Sequence, residues 1–385
     1  MDGLVSVLLA SYLSDLGFSP GKIGLLITGT LLGSAALTLF VGLFGHRLTP
    51  RSILRAACAL MFATGLVFVG VTAFWPLLLI AFCGTLNPSA GDVSVFLPTE
   101  QAVLSRTVAP TERTLVFAYY NLSGIFCGAA GALLSGLPVL VAREQGWDLL
   151  NAQRSGFVLY ALAAVLTSLI YLRLSAVANG TDKRSKQPLE KSRSFVLRIS
   201  AVFSLDAFGG GFVVQSLLAL WLFQRFDMSV EAAGLIFFGA GLLSALSQFG
   251  SPWLAERIGL IRTMAYTHIP ANVLLVLAAL MPTAPLAVAC LLGRMALSQM
   301  DVPARQSYVM AMVPPEERTA AASVTNVPRS LASSLAPALG GFLLAQSNFG
   351  WPLVLGGTTK LLYDLLLLQQ FRHLRPEEEA RLQRV

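Results

Sequence analysis

The chain has 385 residues, 55% of them apolar and only 12% charged, against roughly 25% charged in an ordinary soluble domain. That balance excludes a water-soluble enzyme. Apolar stretches of the ~20 residues needed to cross ~30 Å of hydrocarbon recur from end to end and leave no room for a sizeable soluble domain. The net charge of +7 does not describe a groove for nucleic acid, because the Lys and Arg residues sit in the short segments between apolar runs, where they report membrane orientation.

Turn signals and charge clusters divide the chain into twelve spans. The first six cover roughly 1 to 16, 22 to 45, 52 to 73, 76 to 105, 114 to 141 and 155 to 174, and the last six roughly 197 to 224, 230 to 254, 261 to 282, 285 to 312, 320 to 345 and 350 to 370. Span one would rise only about 24 Å at about 1.5 Å per residue, so the first helix is expected to be clipped, with its true start upstream. Asp2, the lack of a basic start and the lack of a small-residue cleavage site argue against a signal peptide. Asn87-Pro88 in span four and Pro303 in span ten are expected kinks whose freed carbonyls can line a cavity. Gly124, Gly128 and Gly131 in span five, with Ala129 and Ala130, form a small-residue face suited to close helix packing.

Between the halves, Thr181-Asp182-Lys183-Arg184-Ser185-Lys186 and Lys191-Ser192-Arg193 form a polar run that cannot be buried in lipid. The expected organisation is therefore an amino-terminal six-helix bundle over 1–174, a linker over 175–196, a second bundle over 197–370 and a tail over 371–385. Of the 27 Lys and Arg residues, nineteen fall on the side of the termini and linker, against Lys22, Arg143, Arg154 and Arg225 on the other. By the positive-inside rule this puts both termini in the cytoplasm, and it supports an even number of crossings. Cys58, Cys83, Cys127 and Cys290 all lie in apolar runs, without CxxC pairing or clustered His. They read as packing residues, and no metal or other cofactor is expected.

The two halves match each other. Shifted by about 210 residues, Ser19, Gly24, Leu25, Gly29, Leu32, Ser34, Ala35 and Arg47 meet Ser229, Gly234, Leu235, Gly239, Leu242, Ser244, Ala245 and Arg257. Shifted by about 205, Pro98, Gln101, Pro110, Glu112, Arg113, Thr114, Asn121 and Gly136 meet Pro303, Gln306, Pro315, Glu317, Arg318, Thr319, Asn326 and Gly341. Six passes per half keep the repeat in one orientation, an arrangement that puts a solute site near the midplane between halves.

Gly42-Leu43-Phe44-Gly45-His46-Arg47-Leu48-Thr49-Pro50-Arg51 lies between spans two and three, and Glu256-Arg257-Ile258-Gly259 occupies the equivalent place in the second half. Both resemble the G-x-x-x-D-R-x-G-R-R loop of the major facilitator superfamily, and the resemblance covers essentially the whole chain. The first copy keeps the Gly, Arg47 and Arg51, but has His46 for Asp and Thr49 for Gly; the second keeps Glu256, Arg257 and Gly259. The resemblance implies an all-α membrane fold of twelve transmembrane helices in two parallel-repeat bundles, with these residues latching the cytoplasmic face. The family's proton-coupled drug antiporters carry G-P-x-x-G-G in helix five, where this chain has Gly131-Ala132-Leu133-Leu134-Ser135-Gly136.

Charges at membrane depth cost at least ~2.5 to 3.5 kcal/mol each, so they are paired or functional. They are Asp2, Asp92, Glu100, Asp206, Asp301 and Asp364 against Arg294, Arg305, Arg329 and Lys360. Asp2, Asp92, Asp206, Arg294, Asp301 and Arg329 are the candidates for a solute or proton pathway. Arginines there suit a carboxylate or phosphate, while proton coupling needs a buried carboxylate that is not permanently paired. Lys360 and Asp364, four residues apart, are expected to neutralise each other. Glu100 and Arg305 hold equivalent places in the repeats and are expected to form a cytoplasmic gate with the latch residues.

The expected function is secondary transport of a small organic solute by alternating access, as a monomer in a bacterial inner membrane, with export against proton entry as the leading variant. Carriage of an anionic metabolite is the alternative, and a transport-inactive receptor or scaffold of the same fold is the reading from another class. An enzyme is not expected, because no His cluster, nucleophile elbow or metal spacing is present.

Overall fold

A computed structural model describes residues 1–44, 48–89, 95–107, 113–174, 190–314 and 317–374. Among these, sixteen α-helices form and no strand does. The first half contains α1 (Asp2–Asp15), α2 (Pro20–Phe44), α3 (Pro50–Gly70), α4 (Phe74–Cys83), α5 (Phe96–Thr107), α6 (Arg113–Leu134), α7 (Leu137–Gln145) and α8 (Leu149–Tyr171). The second contains α9 (Arg193–Gly211), α10 (Gln215–Phe226), α11 (Val230–Ile258), α12 (Leu260–Leu280), α13 (Ala284–Ser298), α14 (Asp301–Met312), α15 (Arg318–Gln346) and α16 (Trp351–Phe371).

Sixteen helices make twelve passes because spans four, five, seven and ten, expected as continuous, are each broken in two. Span four stops at Cys83 and resumes at Phe96. Gly84 is extended, and the residue before Pro88 is biased away from helix. Span five stops after Leu134 and restarts with Pro138 in the first turn of α7, the helix position where a missing N–H does no harm. Span seven ends α9 in three glycines, and Val214 is extended before α10. Span ten is interrupted at Gln299–Met300, with Pro303 in the first turn of α14.

The carbonyls released at two of these breaks find donors, as a low-dielectric setting requires. Ser216 N–H and its hydroxyl both donate to Pro88 O, each at 3.1 Å, and the Ser251 hydroxyl donates to Met300 O at 2.6 Å. Seven helical stretches among the described residues are long and apolar enough to cross a membrane unaided. The other passes are broken, short or diluted by polar residues. Leu79, Leu166, Phe249, Leu246 and Leu365 are all exposed, part of an apolar exterior that water would not tolerate and lipid does.

By internal contacts the chain groups into two compact units. The first comprises Met1–Lys183, Val214–Phe238 and Pro337–Gln346. Its core joins α1, α3 and α8 through Phe157, whose ring lies 5.0 Å from Tyr12 and 5.1 Å from Phe68, while Tyr12 donates to Phe68 O at 2.7 Å. On α1 and α6 the small-residue face is used for packing: a Cβ on Gly3 would stand 1.8 Å from Gly128 O.

The repeated glycines have a specific use in this unit. A Cβ on Gly24 of α2 would fall 2.4 Å from Pro337 O and 2.8 Å from Gly341 Cα on α15. A Cβ on Gly234 of α11 would fall 2.6 Å from Ala132 O of α6. These crossings are repeat equivalents of each other. Thr28 Oγ1 accepts from Ala338 N–H at 2.9 Å, and Arg143 pairs with Glu231 at 3.5 Å. All of these contacts join the first-half helices to α11 or α15 at the ends that carry the connections between spans one and two, five and six, seven and eight, and eleven and twelve.

The second unit comprises Arg184–Val213, Gly239–Ala336 and Ser347–Val385. Val196, Ile199, Phe203, Met264, Tyr308, Tyr363 and Phe371 fill its core from α9, α12, α14 and α16. The turn before α15 anchors the start of α9. Glu317, which is buried, accepts the backbone N–H groups of Glu190, Lys191 and Ser192 at 3.1, 2.9 and 3.0 Å, and the Ser192 hydroxyl as well. The Ser192 hydroxyl first, and the backbone donors with it, hold the Glu317 carboxyl down from its ordinary 4.5 to about 2. A carboxylate depressed in the folded state stabilises above its unfolded pKa and loses that contribution as pH falls through the folded value. Glu317→Gln is therefore expected to lower the melting temperature in detergent at pH 7, with the gap from wild type closing between pH 4.5 and about 2. A gap that does not change with pH would refute the assignment.

Candidate functional site

In the second unit the intramembrane charges converge from four helices. Asp206 on α9 holds the centre: its Oδ1 accepts from Lys360 Nζ of α16 at 2.5 Å, and its Oδ2 lies 3.4 Å from Arg305 Nη1 of α14. The same Nη1 is 3.4 Å from Asp301 Oδ2, one turn earlier on α14. His268 of α12 places Nδ1 2.9 Å from Asp364 Oδ1 and Nε2 3.9 Å from Asp206 Oδ1. Asn272, one turn further along α12, donates to Asp364 Oδ2 at 2.9 Å. Asp206, His268, Asn272, Asp301, Arg305, Lys360 and Asp364 are all buried.

The expected Lys360–Asp364 pair is corrected by this geometry. Spacing of i and i+4 brings two Cβ atoms close, but the long lysine stem reaches across to Asp206 on α9. Asp364 turns to His268 and Asn272 on α12. Arg294 on α13 and Arg329 on α15 stand within electrostatic reach of Asp206, and Arg294 of Asp301 also. Arg294 Nη1 contacts the Met295 sulfur at 3.2 Å, and its Nε is buried with no hydrogen-bond partner among the described residues.

In the first unit two intramembrane acids accept from neutral donors. Asn87 Nδ2 donates to Asp2 at 3.1 Å, and the Ser216 hydroxyl donates to Ser6 O at 2.6 Å as well as to Pro88 O. Asp2, the break in span four and the start of α10 thus form one polar cluster. Glu100 of α5 accepts the hydroxyls of Tyr120 on α6 and Tyr171 on α8. Glu100 and Arg305, expected as a gate pair, are thus each engaged inside their own unit. Asp92 lies outside the described residues.

Of the expected latch residues, Arg47 and His46 also lie outside the described residues. Arg51 stands in the first turn of α3. Glu256 and Arg257 are exposed at the end of α11, with the Arg257 guanidinium 4.1 Å over the Trp253 ring. Gly259 has φ 88 at the start of α12, a positive-φ backbone that favours glycine.

His268, Asn272 and Tyr171 are site residues that sequence reasoning did not single out. One signal was available for His268: the chain has three histidines, and this one sits inside an apolar helix, where a search for Asp, Glu, Lys and Arg alone passes over it.

The Major Facilitator Superfamily pattern matches residues 1–300 and 207–384. The chain is 25% identical to the "Uncharacterized membrane protein YJR124C" of Saccharomyces cerevisiae over 408 residues, which covers 96% of this chain and 90% of the relative. Its fold is similar to that of the D-xylose-proton symporter, with a TM-score of 0.71 at 15% identity and 95% of each chain covered. The nucleoside transporter NupG aligns with a TM-score of 0.66 at 12% identity, covering 97% of this chain and 100% of that one. A bacterial homolog of the human lysosomal transporter Spinster, inward-facing and occupied, gives 0.71 at 15% identity over 97% of this chain and 94% of that one. A duplicated bundle of twelve helical passes, with buried charges gathered inside it and a family pattern matched in both halves, makes this chain a multi-pass membrane transporter of the Major Facilitator Superfamily.

Proposed function

We propose that the protein is a secondary carrier of a small organic anion, working by alternating access and coupled to protons. Charge distribution supports this. All four intramembrane bases belong to the second unit, where, among the described residues, Arg294, Arg305, Arg329 and Lys360 stand with Asp206, Asp301 and Asp364. One positive charge is in surplus. The single observation that carries the reading is Arg294, some 15 Å along its helix at ~1.5 Å per residue, with a buried Nε that no group among the described residues satisfies. An unmet guanidinium donor in a low-dielectric setting favours a planar, bidentate acceptor, which a carboxylate or phosphate provides. Proton coupling is supported by acids that accept from neutral side chains: Asp2 from Asn87, and Glu100 from two tyrosines. Both termini are read as cytoplasmic from the Lys and Arg distribution, with the six-pass halves 1–174 and 197–370 as the moving bodies.

The test is flux into proteoliposomes of labelled carboxylates, phosphate esters and neutral analogues, with and without a pH gradient. Anionic solutes are expected to accumulate only with the gradient. Arg294→Gln is expected to raise KM about tenfold or more, the worth of one lost charge-assisted hydrogen bond at ~1.5–3 kcal/mol. Equal transport of neutral analogues, or an Arg294→Gln variant with unchanged KM for the anion, would overturn the anionic assignment.

A further inference from the structure

His268 stands between two carboxylates that belong to different helices, and it competes with a lysine for one oxygen. Asp206 Oδ1 is held by Lys360 Nζ at 2.5 Å and faced by His268 Nε2 at 3.9 Å. On its other edge, His268 Nδ1 is 2.9 Å from Asp364 Oδ1. A carboxylate only accepts, so the hydrogen on the neutral ring belongs on Nδ1, donated to Asp364. Nε2 then points a lone pair toward the Asp206 anion, which accounts for a separation too long for a hydrogen bond.

We propose that His268 is the proton-binding residue of the carrier, and that protonation at Nε2 transfers Asp206 Oδ1 from Lys360 to the imidazolium. The step is a simple proton addition: Nε2 changes from lone-pair acceptor to donor, aimed at the oxygen Lys360 now occupies. This rests on the proton-coupled reading given above and names the group that carries the coupling.

Every charged neighbour of the ring enters the balance. From α16 it faces Asp364 and Lys360, with the Tyr363 ring edge-on at 5.7 Å; from α9 Asp206; and from its own helix Asn272. Asp301 and Arg305 of α14 meet it through Asp206, as do Arg294 of α13 and Arg329 of α15 at longer range. Two carboxylates, Asp206 and Asp364, flank the ring directly, and a proton on Nε2 adds a second cation beside Asp206 Oδ1. Lys360 is then the cation with least to hold it, on a flexible stem, whereas Arg305 keeps Asp301 in either state.

The test reads the ring directly, without needing a solute. Protein labelled with 15N in histidine and lysine, reconstituted in lipid vesicles, carries His46→Gln and His373→Gln so that one imidazole remains. With the sample taken from about pH 8 to about pH 5, solid-state NMR is expected to show the neutral Nδ1–H tautomer give way to a doubly protonated ring. The Lys360 ammonium signal, assigned by its loss in Lys360→Met, is expected to move with the same midpoint. A ring that keeps one protonation state across that range overturns the proposal, as does a titrating ring beside an unmoved Lys360 signal. Should the ring titrate with Lys360 while flux ignores the pH gradient, the coupled-transport reading fails and the proton site stands.

Discussion

Asp206→Asn lowers the stability of the protein by about 3–5 kcal/mol, the cost of removing one partner from a buried ion pair. The carboxylate of Asp206 is the acceptor for Lys360 at 2.5 Å and for Arg305 at 3.4 Å, with all three side chains buried. Asparagine of the same size leaves the ammonium of Lys360 without an anion. Arg305 is less affected because Asp301 remains 3.4 Å away on its own helix. Asp206→Asn combined with Lys360→Met is therefore expected to recover most of the loss, since an apolar residue of similar volume removes the stranded charge. Denaturant or thermal unfolding in detergent measures both variants. A single variant within about 1 kcal/mol of wild type, or a double variant no better than the single, would show that Asp206 does not anchor the cluster.

Gly24→Val has the second large effect, and acts on conformation more than on folding. The valine Cβ would sit 2.4 Å from Pro337 O and 2.8 Å from Gly341 Cα, so α2 and α15 cannot cross as they do here. Overpacking of this kind typically costs about 1–3 kcal/mol, and about 2 kcal/mol changes a conformational ratio about 30-fold. An alternating-access carrier escapes the clash by opening this end. A cysteine introduced at Thr28, with the four native cysteines replaced, is expected to react with a membrane-impermeant maleimide at least tenfold faster in Gly24→Val than in its parent. Gly42→Val on the same helix is the control, since a Cβ there meets nothing within 4 Å. Equal labelling of Gly24→Val and the control would show that this crossing does not keep the end closed.

The passes were legible in the sequence because membrane helices need long apolar runs whatever their neighbours are. Breaks were legible only where proline marks them. Asn87-Pro88 announced the interruption of span four, but the one in span seven follows three glycines, and glycine is ordinary in membrane helices. Lys360 shows the limit for the site. Its spacing from Asp364 is visible in one dimension, while the nearer oxygen of Asp206 comes from a helix 154 positions earlier and is visible only in three. The repeat likewise identified Gly24, Gly136, Gly234 and Gly341 as equivalent positions. Periodicity says which residues correspond, not which ones touch, so their use in helix crossings emerged only from the fold.

Three of the places where the chain passes between its compact units are mechanically soft. Between Val213 and Val214 it crosses at the helix break of span seven, between Phe238 and Gly239 at a glycine inside α11, and between Ala336 and Pro337 at a proline inside α15. Proline removes one rung of the backbone ladder and favours a kink, glycine adds torsional freedom, and a break has no rungs to bend. Compliance is thus concentrated in three short joints, where the chain can flex through a few dihedral angles.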